Sequence, residues 1–363
     1  MAEPHGCAMS YTVIPLRLDE HRAQLARLWA ENMSDARIAS ALPARMDWLY
    51  ERGPDGPPTT LLCLASESGD VVGCGSFIRR PIWVGGAAMR AGLLCDFAVA
   101  RAHRVGGAAL AIQRALMEAA VVAGLELLYG YPNAKSVAIF KRIGYRVVGE
   151  TSTWLKPLRA AYKLREALPW KHAASVAALP IDAGLSLMDH GRRLRARVPS
   201  RGALLAGPDE RFDALWTWAR AAHDIVGEKS SVYLDWRYRQ FPTAEHQFFA
   251  LLSPDSEQLA GYAVFTVREG KAFVRDLLAG PLPGVAEALL LALGAHLRDQ
   301  RLDTMSLSYL GPKAFGDRLR SLGFLRRPET RALVLHPAGL SETFRTRLLE
   351  PENWFMLDGE LDI

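Results

Sequence analysis

Residues 93–150 constrain the fold of this chain more than any other stretch. An apolar run over residues 93–100 leads through a basic, glycine-rich bend into an alanine-rich segment whose apolar residues recur at helical spacing. This pattern predicts a strand, a tight loop and a helix in succession. The predicted helix starts with the small residues Gly106, Gly107, Ala108 and Ala109. Because they leave the unpaired N–H groups of the first turn accessible, this terminus favours a phosphate group.

Two motifs lie in this stretch. Arg104, Gly107 and Ala109 spell R-x-x-G-x-A, and Asn133 precedes a helical run that ends in the pair Gly144-Tyr145. The first motif resembles the R-x-x-G-x-G/A pattern with which GNAT superfamily N-acetyltransferases hold the pyrophosphate of acetyl-CoA. The second resembles the family's N-(x)n-Y-x-x-x-G-F segment, which packs beside the pantetheine arm. The first motif alone could reflect close packing of a helix on a strand, but the second follows it in the family's order.

The resemblance implies that acetyl-CoA binds to this stretch as a co-substrate. In the family, the strand before the phosphate loop splays and offers a backbone N–H to the thioester carbonyl, which points to Ala98 or Val99. Asn133 could bind the cofactor or cap the helix that follows it. The cofactor-binding residues implied by the resemblance are Ala98, Val99, Arg104, Val105, Gly106, Gly107, Ala108, Ala109, Asn133 and Phe140.

Transfer of an acetyl group to an amine needs a base for the ammonium proton and an acid for the departing thiolate. Asp96 lies where many family members place an acidic base, although its reference pKa of about 3.9 would require desolvation or a water relay. Asp276 holds the matching place in the second half of the chain, so a structural role for Asp96 is also open. Phe140 replaces the family's acid tyrosine. Tyr131, Tyr145 or a water must serve instead, or the thiolate leaves unaided.

The composition excludes several other classes of protein. The 363 residues suggest about two domains, and 50% hydrophobic with 23% charged residues is typical of a globular protein. No run of eighteen uncharged apolar residues and no secretory signal occurs, so we expect a cytoplasmic protein. The four cysteines form no C-x-x-C pair, which predicts neither a disulfide nor a metal site. Arginines bunched over residues 192–201 lack interleaved aromatics, and no nucleic-acid partner is expected.

The chain repeats itself after a basic, proline-bounded connector. Trp48 precedes Gly73 by 25 residues, and Trp236 precedes Gly261 by the same 25. Such a repeat predicts two similar units in tandem. The expected divisions are a cofactor-binding unit over residues 10–157, a helical connector over 158–182 and a second unit over 183–363.

Each unit is predicted to be an α/β (α+β) fold, a mixed and mostly antiparallel sheet flanked by helices, in the GNAT order. A strand around residues 87–95 is expected to lead into the stretch of residues 93–150, and the second unit is expected to open with a strand at residues 185–189. By counting from Asp276, Glu287 is the counterpart of Gly107, and a carboxylate there would repel phosphate. Pro281 and Pro283 also remove N–H donors from the bend. We therefore expect the second unit to shape the acceptor site instead of holding CoA.

The sequence thus predicts an acetyl-CoA-dependent N-acyltransferase that acts on the amine of a small molecule. An amino sugar is one candidate acceptor, because segments similar to residues 233–238 and 352–363 recur in tandem GNAT-like proteins of surface-polysaccharide and amino-sugar metabolism. Two alternatives stay open: a non-catalytic CoA-binding or regulatory module, and an aminoacyl-transferring relative that works with tRNA.

Overall fold

The computed structural model describes residues 10–32, 41–134, 136–161, 163–164, 171–196, 198–337 and 340–360, with side chains omitted for residues 171–176. The strands in these residues are β1 (Tyr11–Pro15), β2 (Thr59–Ala65), β3 (Val71–Arg79), β4 (Ile82–Val84), β5 (Ala87–Met89), β6 (Ala91–Val99), β7 (Leu127–Gly130), β8 (Arg146–Glu150), β9 (Ser152–Pro157), β10 (Arg201–Leu205), β11 (Ile225–Gly227), β12 (Gln247–Leu252), β13 (Leu259–Arg268), β14 (Lys271–Ala279), β15 (Thr304–Leu310), β16 (Leu325–Arg327), β17 (Ala332–Pro337) and β18 (Trp354–Leu357).

The helices in the same residues are α1 (Leu18–Asn32), α2 (Leu42–Glu51), α3 (Ala108–Val122), α4 (Val137–Arg142), α5 (Lys171–Ala196), α6 (Glu210–Ala219), α7 (Ser231–Leu234), α8 (Val285–Asp299), α9 (Lys313–Ser321) and α10 (Glu342–Leu349). They are amphipathic in the expected way. In α1, for example, Leu25, Leu28 and Trp29 are buried at helical spacing, and Asp19 and Glu20 lie in the first turn, where negative charge is favourable. In the part of the chain that is described, no helix is long and apolar enough to cross a bilayer.

Two mixed sheets with helices on their faces make up the fold, as the sequence predicted. The first has the strand order β1-β2-β3-β6-β7-β17-β8. In the second, β10-β12-β13-β14-β15 continues through β9 to β16, while β18, β11, β4 and β5 extend from the other edge of β15. The seven strands from β1 to β8 and the seven from β10 to β16 therefore follow the same order.

The two halves exchange one strand each. Strand β9, which the sequence analysis assigned to the first unit, lies between β15 and β16 in the second sheet. In return β17 lies between β7 and β8 in the first sheet. A domain boundary at residue 157 would therefore assign β9 to the first sheet and β17 to the second, which is the wrong sheet for each strand. The chain crosses over at Thr151, whose backbone N–H donates to the Arg331 carbonyl over 2.9 Å. The Arg331 N–H donates back to the Thr151 hydroxyl over 3.0 Å.

The repeated tryptophans meet where the halves pack together. The rings of Trp48 and Trp236 are stacked, with centroids 4.6 Å apart and an interplanar angle of 9°. The Trp48 indole N–H donates to the Trp236 carbonyl over 2.7 Å, and the Trp236 indole N–H donates to the Trp48 carbonyl over 3.1 Å. Because each residue makes the same contact to the other, this pair marks an approximate two-fold axis between the halves.

Two predictions of local structure are wrong. Residues 185–189 are not a strand but part of helix α5, and Pro180, taken as a boundary, lies inside that helix. Contacts of Asp189 favour the position of these residues in the helix. Its buried carboxylate accepts a hydrogen bond from Lys156 of β9 over 2.8 Å and also pairs with Arg298 of α8. The segment predicted as one strand over residues 87–95 is split. Its first part, β5, forms a hairpin with β4 that joins the second sheet.

Candidate functional site

The candidate site lies where β6 and β7 separate. Their parallel pairing runs from Ala91–Leu127 to Leu93–Tyr129 and then ends, although β6 continues to Val99. A cavity of about 600 Å³ opens at this point. Its lining is Leu94, Cys95, Phe97, Gly130, Tyr131, Pro132, Asn133, Ala134, Ser136, Val137, Phe140, Lys141, Val147, Glu150, Thr330, Arg331 and Ala332. The size of the cavity is that of a small-molecule site.

A bulge in β6 forms one wall of this cavity. Opposite β3, Cys74 pairs with Ala98 and Ser76 pairs with Cys95, so Asp96 and Phe97 together face a single residue. Asp96 adopts a left-handed conformation with φ of 53°. Phe97, the other bulge residue, lines the cavity. The sequence analysis missed Phe97 because a bulge leaves no signature in the alternation of apolar residues.

The N-terminus of α3 is open. Its N-cap, Gly107, has φ of 97°, and in the described residues no side chain caps the helix and no atom lies within 4 Å of a Cβ built on this glycine. Ala108 and Ala109 are buried against the sheet, and Val105 is 98% exposed. The first-turn N–H groups lack intrahelical acceptors, so this terminus can bind an anion.

Arg104 holds the loop before α3 in place. Its Nε donates to the Val99 carbonyl over 3.1 Å, and its Nη2 donates to Asn32 Oδ1 over 2.8 Å. These bonds tie the end of β6 to the end of α1. The side chain therefore shapes the loop, in which Val105 is exposed and Gly106 and Gly107 are partly exposed.

The equivalent helix start in the second half is covered. Helix α8 also begins after a left-handed glycine, Gly284, with φ of 83°. Gly284 and not Glu287 is thus the counterpart of Gly107, and the sequence count was wrong by three residues. The reason is loop length: residues 100–107 separate β6 from α3, but only residues 280–284 separate β14 from α8. A Cβ on Gly284 would lie 2.9 Å from the Ala196 carbonyl oxygen, so the end of α5 blocks this terminus.

The equivalent cleft in the second half is filled by the chain itself. Parallel pairing of β14 with β15 ends at Val274 and Leu307. Beyond that point Tyr309 and Leu310 pair with β18, while the opposite edge of β15 carries β9. Trp354 and Met356 of β18 are fully buried there. The two halves therefore differ at the place where chemistry was predicted: the first cleft is open and the second is closed.

Asp96 is one of the two bulge residues but does not line the cavity. Its carboxylate accepts hydrogen bonds from Arg45 Nη2 over 2.6 Å and from the Tyr50 hydroxyl over 2.9 Å. Burial raises the pKa of Asp96, and the Arg45 guanidinium opposes that rise. Asp276 has matching partners in the second half, Lys229 over 2.5 Å and Tyr238 over 3.2 Å. A carboxylate with the same kind of network in the half that has a closed cleft indicates a structural role in both.

The two candidate tyrosines differ in position. Tyr131 lines the cavity, it is buried, and its hydroxyl has no hydrogen-bond partner among the described residues. Burial holds the pKa of Tyr131 well above its usual value, and the charges of Glu360 and Asp358 raise it further. Tyr145 is also buried, but it lies outside the cavity lining and packs edge-on against Phe140, with ring centroids 5.1 Å apart. Of the two, only Tyr131 borders the cavity, and its hydroxyl is itself buried.

Comparison with known proteins agrees with this geometry. Residues 22–145, which run from within α1 to just past α4 and include the bulge and the open helix start, match the Acetyltransferase (GNAT) family. This part of the chain is a GNAT acetyltransferase domain. A search of curated proteins finds no match to the sequence.

Solved structures resemble the whole GNAT-containing chain in fold. A probable N-acyltransferase from Enterococcus faecalis V583 has a TM-score of 0.63 at 11% identity and matches 90% of this chain and 73% of its own. A GCN5-related N-acetyltransferase from Anabaena variabilis ATCC 29413 gives 0.61 at 12%, with 90% and 73% covered. One from Kribbella flavida gives 0.56 at 17%, with 90% and 71% covered. At these identities the likeness concerns the fold alone.

The other predicted residues of the GNAT domain occupy distinct positions. Asn133 lines the cavity, and its Oδ1 accepts hydrogen bonds from the Ser136 backbone N–H and hydroxyl, both over 3.1 Å, so it supports the start of α4 as well. Phe140 lines the cavity and contacts Phe97 edge-on. Ala98 and Val99 pair with β3 and are not among the lining residues. Within the described residues no cluster of His, Cys, Asp or Glu is suited to a metal ion.

Proposed function

We propose that this chain is an acetyl-CoA-dependent N-acyltransferase that acetylates the amine of a small acceptor. The observation that carries the proposal is the combination of an uncapped, uncovered α3 terminus with the 600 Å³ cleft between β6 and β7. A helix terminus with free N–H groups suits a pyrophosphate, and a cleft lined by β6, the strand that leads to that helix, suits the pantetheine arm.

Different residues bind the different parts of acetyl-CoA. The backbone N–H groups of residues 105–109 hold the pyrophosphate, and Phe97, Asn133 and Phe140 flank the arm. The backbone N–H of Phe97, in the bulge, is our candidate for polarising the thioester carbonyl, in place of Ala98 or Val99. The second half is a GNAT-like unit that binds no CoA, because β18 fills its cleft and the end of α5 covers the start of α8.

In the transfer step the acceptor nitrogen forms a bond to the acetyl carbon, the bond to sulfur breaks, and the ammonium proton passes to water. Tyr131 donates a hydrogen bond to the departing sulfur. Because burial and nearby carboxylates keep the pKa of Tyr131 above that of a thiol, it stabilises the thiolate without handing over its proton. Asp96 positions the bulge through Arg45 and Tyr50.

The test is amine-dependent release of CoA from acetyl-CoA, followed with a thiol reagent over a panel of amino acids, amino sugars and polyamines. For an acceptor that reacts, Tyr131→Phe should lower turnover by about tenfold, less than the roughly hundredfold or greater loss of a full proton donor. Tyr145→Phe is the matched control, since it removes a buried hydroxyl outside the cavity, and its turnover should be unchanged. Equal losses in both variants would contradict the assignment, and a chain that binds acetyl-CoA but reacts with no amine would be a binding module.

A further inference from the structure

Helix α5 exposes more apolar side chains than any other helix in the described residues. Five large ones, each between 47% and 72% exposed, lie on the part of α5 whose side chains are described. They are Leu179, Ile181, Leu187, Met188 and Leu194. The other described helices expose two at most. Single exposed apolar residues are normal on a protein surface, but a group of this size on one element marks a contact surface.

Three of these side chains form a row along the outer side of α5. The helix packs mainly against α8, and its buried positions Ala178 and Asp189 lie on one side. At about 100° per residue, Leu179, Leu187 and Leu194 fall within about 80° of one another, and Leu187 lies opposite Ala178. At about 1.5 Å per residue the row from Leu179 to Leu194 is about 22 Å long. It is therefore a convex apolar strip on the surface of the protein.

The last turn of α5 adds positive charge to this strip. Arg193 and Arg195 are exposed, and within the described residues neither forms an ion pair or a hydrogen bond. The only carboxylates of α5 are Asp182 and Asp189, and both are already paired with basic side chains of the fold. The outer side of α5 thus combines a row of leucines with arginines that have no negative neighbour on the helix.

This combination selects among the possible partners. A second copy of α5 would supply leucines but no carboxylate for the arginines, so two copies would gain no charge complementarity. A nucleic acid would bind the arginines and leave the leucines in water. An anionic bilayer suits both groups, because leucines insert at the boundary between headgroups and acyl chains while arginines contact the phosphates. A basic amphipathic helix is typical of such a surface.

We infer that α5 binds the surface of an anionic lipid bilayer, with its axis in the plane of the membrane. The leucine row enters the headgroup region and Arg193 and Arg195 bind lipid phosphates. The protein is then held on the bilayer without crossing it, in agreement with the absence of a spanning helix in the described residues. This inference does not depend on the proposed transferase activity, since α5 lies outside the residues 22–145 that match the GNAT family.

Flotation of the full-length protein with lipid vesicles tests this directly. The vesicles contain equal parts of phosphatidylcholine and phosphatidylglycerol, or phosphatidylcholine alone. We expect binding to the anionic vesicles to be about tenfold or more tighter than to the neutral ones, and to weaken as salt is added. The double variant Leu187→Gln, Leu194→Gln should bind the anionic vesicles about tenfold or more weakly, and so should Arg193→Gln, Arg195→Gln. Glutamine keeps the helix propensity of leucine and arginine, so circular dichroism should show unchanged folding.

Matched controls use exposed residues of other helices. The double variants Val121→Gln, Val122→Gln and Arg27→Gln, Arg114→Gln should bind the anionic vesicles within about twofold of the wild type. Flotation is repeated with saturating CoA, because the open start of α3 also suits a phosphate. Loss of binding under CoA would place the lipid phosphate at α3 and overturn the inference.

Three other results would also overturn the inference. One is equal binding, or no binding, to both kinds of vesicle at low salt. Another is unchanged binding of the leucine variant, which would mean attraction to any polyanion, nucleic acid included. The third is a wild-type dimer in analytical ultracentrifugation that the leucine variant dissociates, which would assign the strip to a second copy of the chain.

Discussion

The strand exchange predicts that neither half of this chain folds without the other. A fragment of residues 1–164 lacks β17, which occupies the position between β7 and β8 in the first sheet. Leu333, Val334 and Leu335 of β17 are each 0% exposed. Burial of such a side chain contributes about 1.5–3 kcal/mol, so the three together contribute roughly 5–9 kcal/mol. That is comparable to the whole free energy of unfolding of a typical domain, about 5–15 kcal/mol.

Fragment 171–363 has the complementary defect. It lacks β9, which pairs with β15 over six residues and with β16 over three, and whose Trp154 is buried. We expect each fragment alone to show no cooperative unfolding transition in urea by circular dichroism. Co-expressed, the two should purify as one complex through a tag on either fragment and should unfold together.

A fusion provides the matched control. Joining residues 328–340 to fragment 1–164 through a flexible linker restores β17 and should restore a cooperative transition. The same fusion with Leu333, Val334 and Leu335 replaced by serine should not. A fragment 1–164 that folds and binds acetyl-CoA by itself would refute the reasoning, and it would show that the first sheet tolerates an empty position between β7 and β8.

Two further predictions concern buried carboxylates. Asp96→Asn should lower the free energy of unfolding by about 3 kcal/mol, because it removes the buried ion pair with Arg45, while turnover per folded molecule stays within about threefold. Asp276→Asn, the matching change in the half with the closed cleft, is the control. A hundredfold loss of turnover in Asp96→Asn alone would instead make Asp96 the base. Glu360→Gln should cost about 3–5 kcal/mol, because Arg80 is buried and Glu360 is its ion-pair partner, 2.7 Å away. Burial alone would raise the pKa of Glu360, but Arg80 and Lys229 outweigh it and lower the pKa, so this stabilisation is complete above about pH 4.3 and is lost in stronger acid. The difference in urea stability between wild type and Glu360→Gln should therefore shrink below that pH.

Local motifs were predictable from the sequence because they depend on neighbouring residues. The small residues from Gly106 to Ala109 indicated an open helix start, and the structure has one. Trp48 and Trp236 each precede a glycine by the same number of residues, and this equal spacing indicated a repeat. In the structure the two rings stack on each other, so both lie at the approximate two-fold axis between the halves. Tyr131 was named as a candidate acid, although its position in the cavity depends on where β6 and β7 separate.

The features that the sequence analysis missed depend on distant parts of the chain. Strand β17 buries a continuous apolar run and β9 buries Trp154 and Lys156, and neither local pattern assigns the strand to one sheet or the other. The loop before Gly284 is shorter than the loop before Gly107. Counting a fixed number of residues from Asp276 ignored this difference in loop length, so the count ended at Glu287 instead of Gly284. Residues 185–189 look strand-like in isolation, and the pairing of Asp189 with Lys156 and Arg298 favours their position in α5. Phe97 enters the cavity through a bulge that is defined only against β3.

The central claim is that one acetyl-CoA binds per chain, at the open start of α3. Calorimetric titration of acetyl-CoA into the wild type, Gly107→Asn and Gly107→Asp tests it most directly. Asn and Asp have the same shape, and both tolerate the left-handed conformation of Gly107, so the two variants differ only in charge. The account predicts one site per chain, binding retained in Gly107→Asn, and at least about tenfold weaker binding in Gly107→Asp, whose carboxylate repels the pyrophosphate. Two equivalent sites per chain, or equal affinities of the Asn and Asp variants, would contradict it.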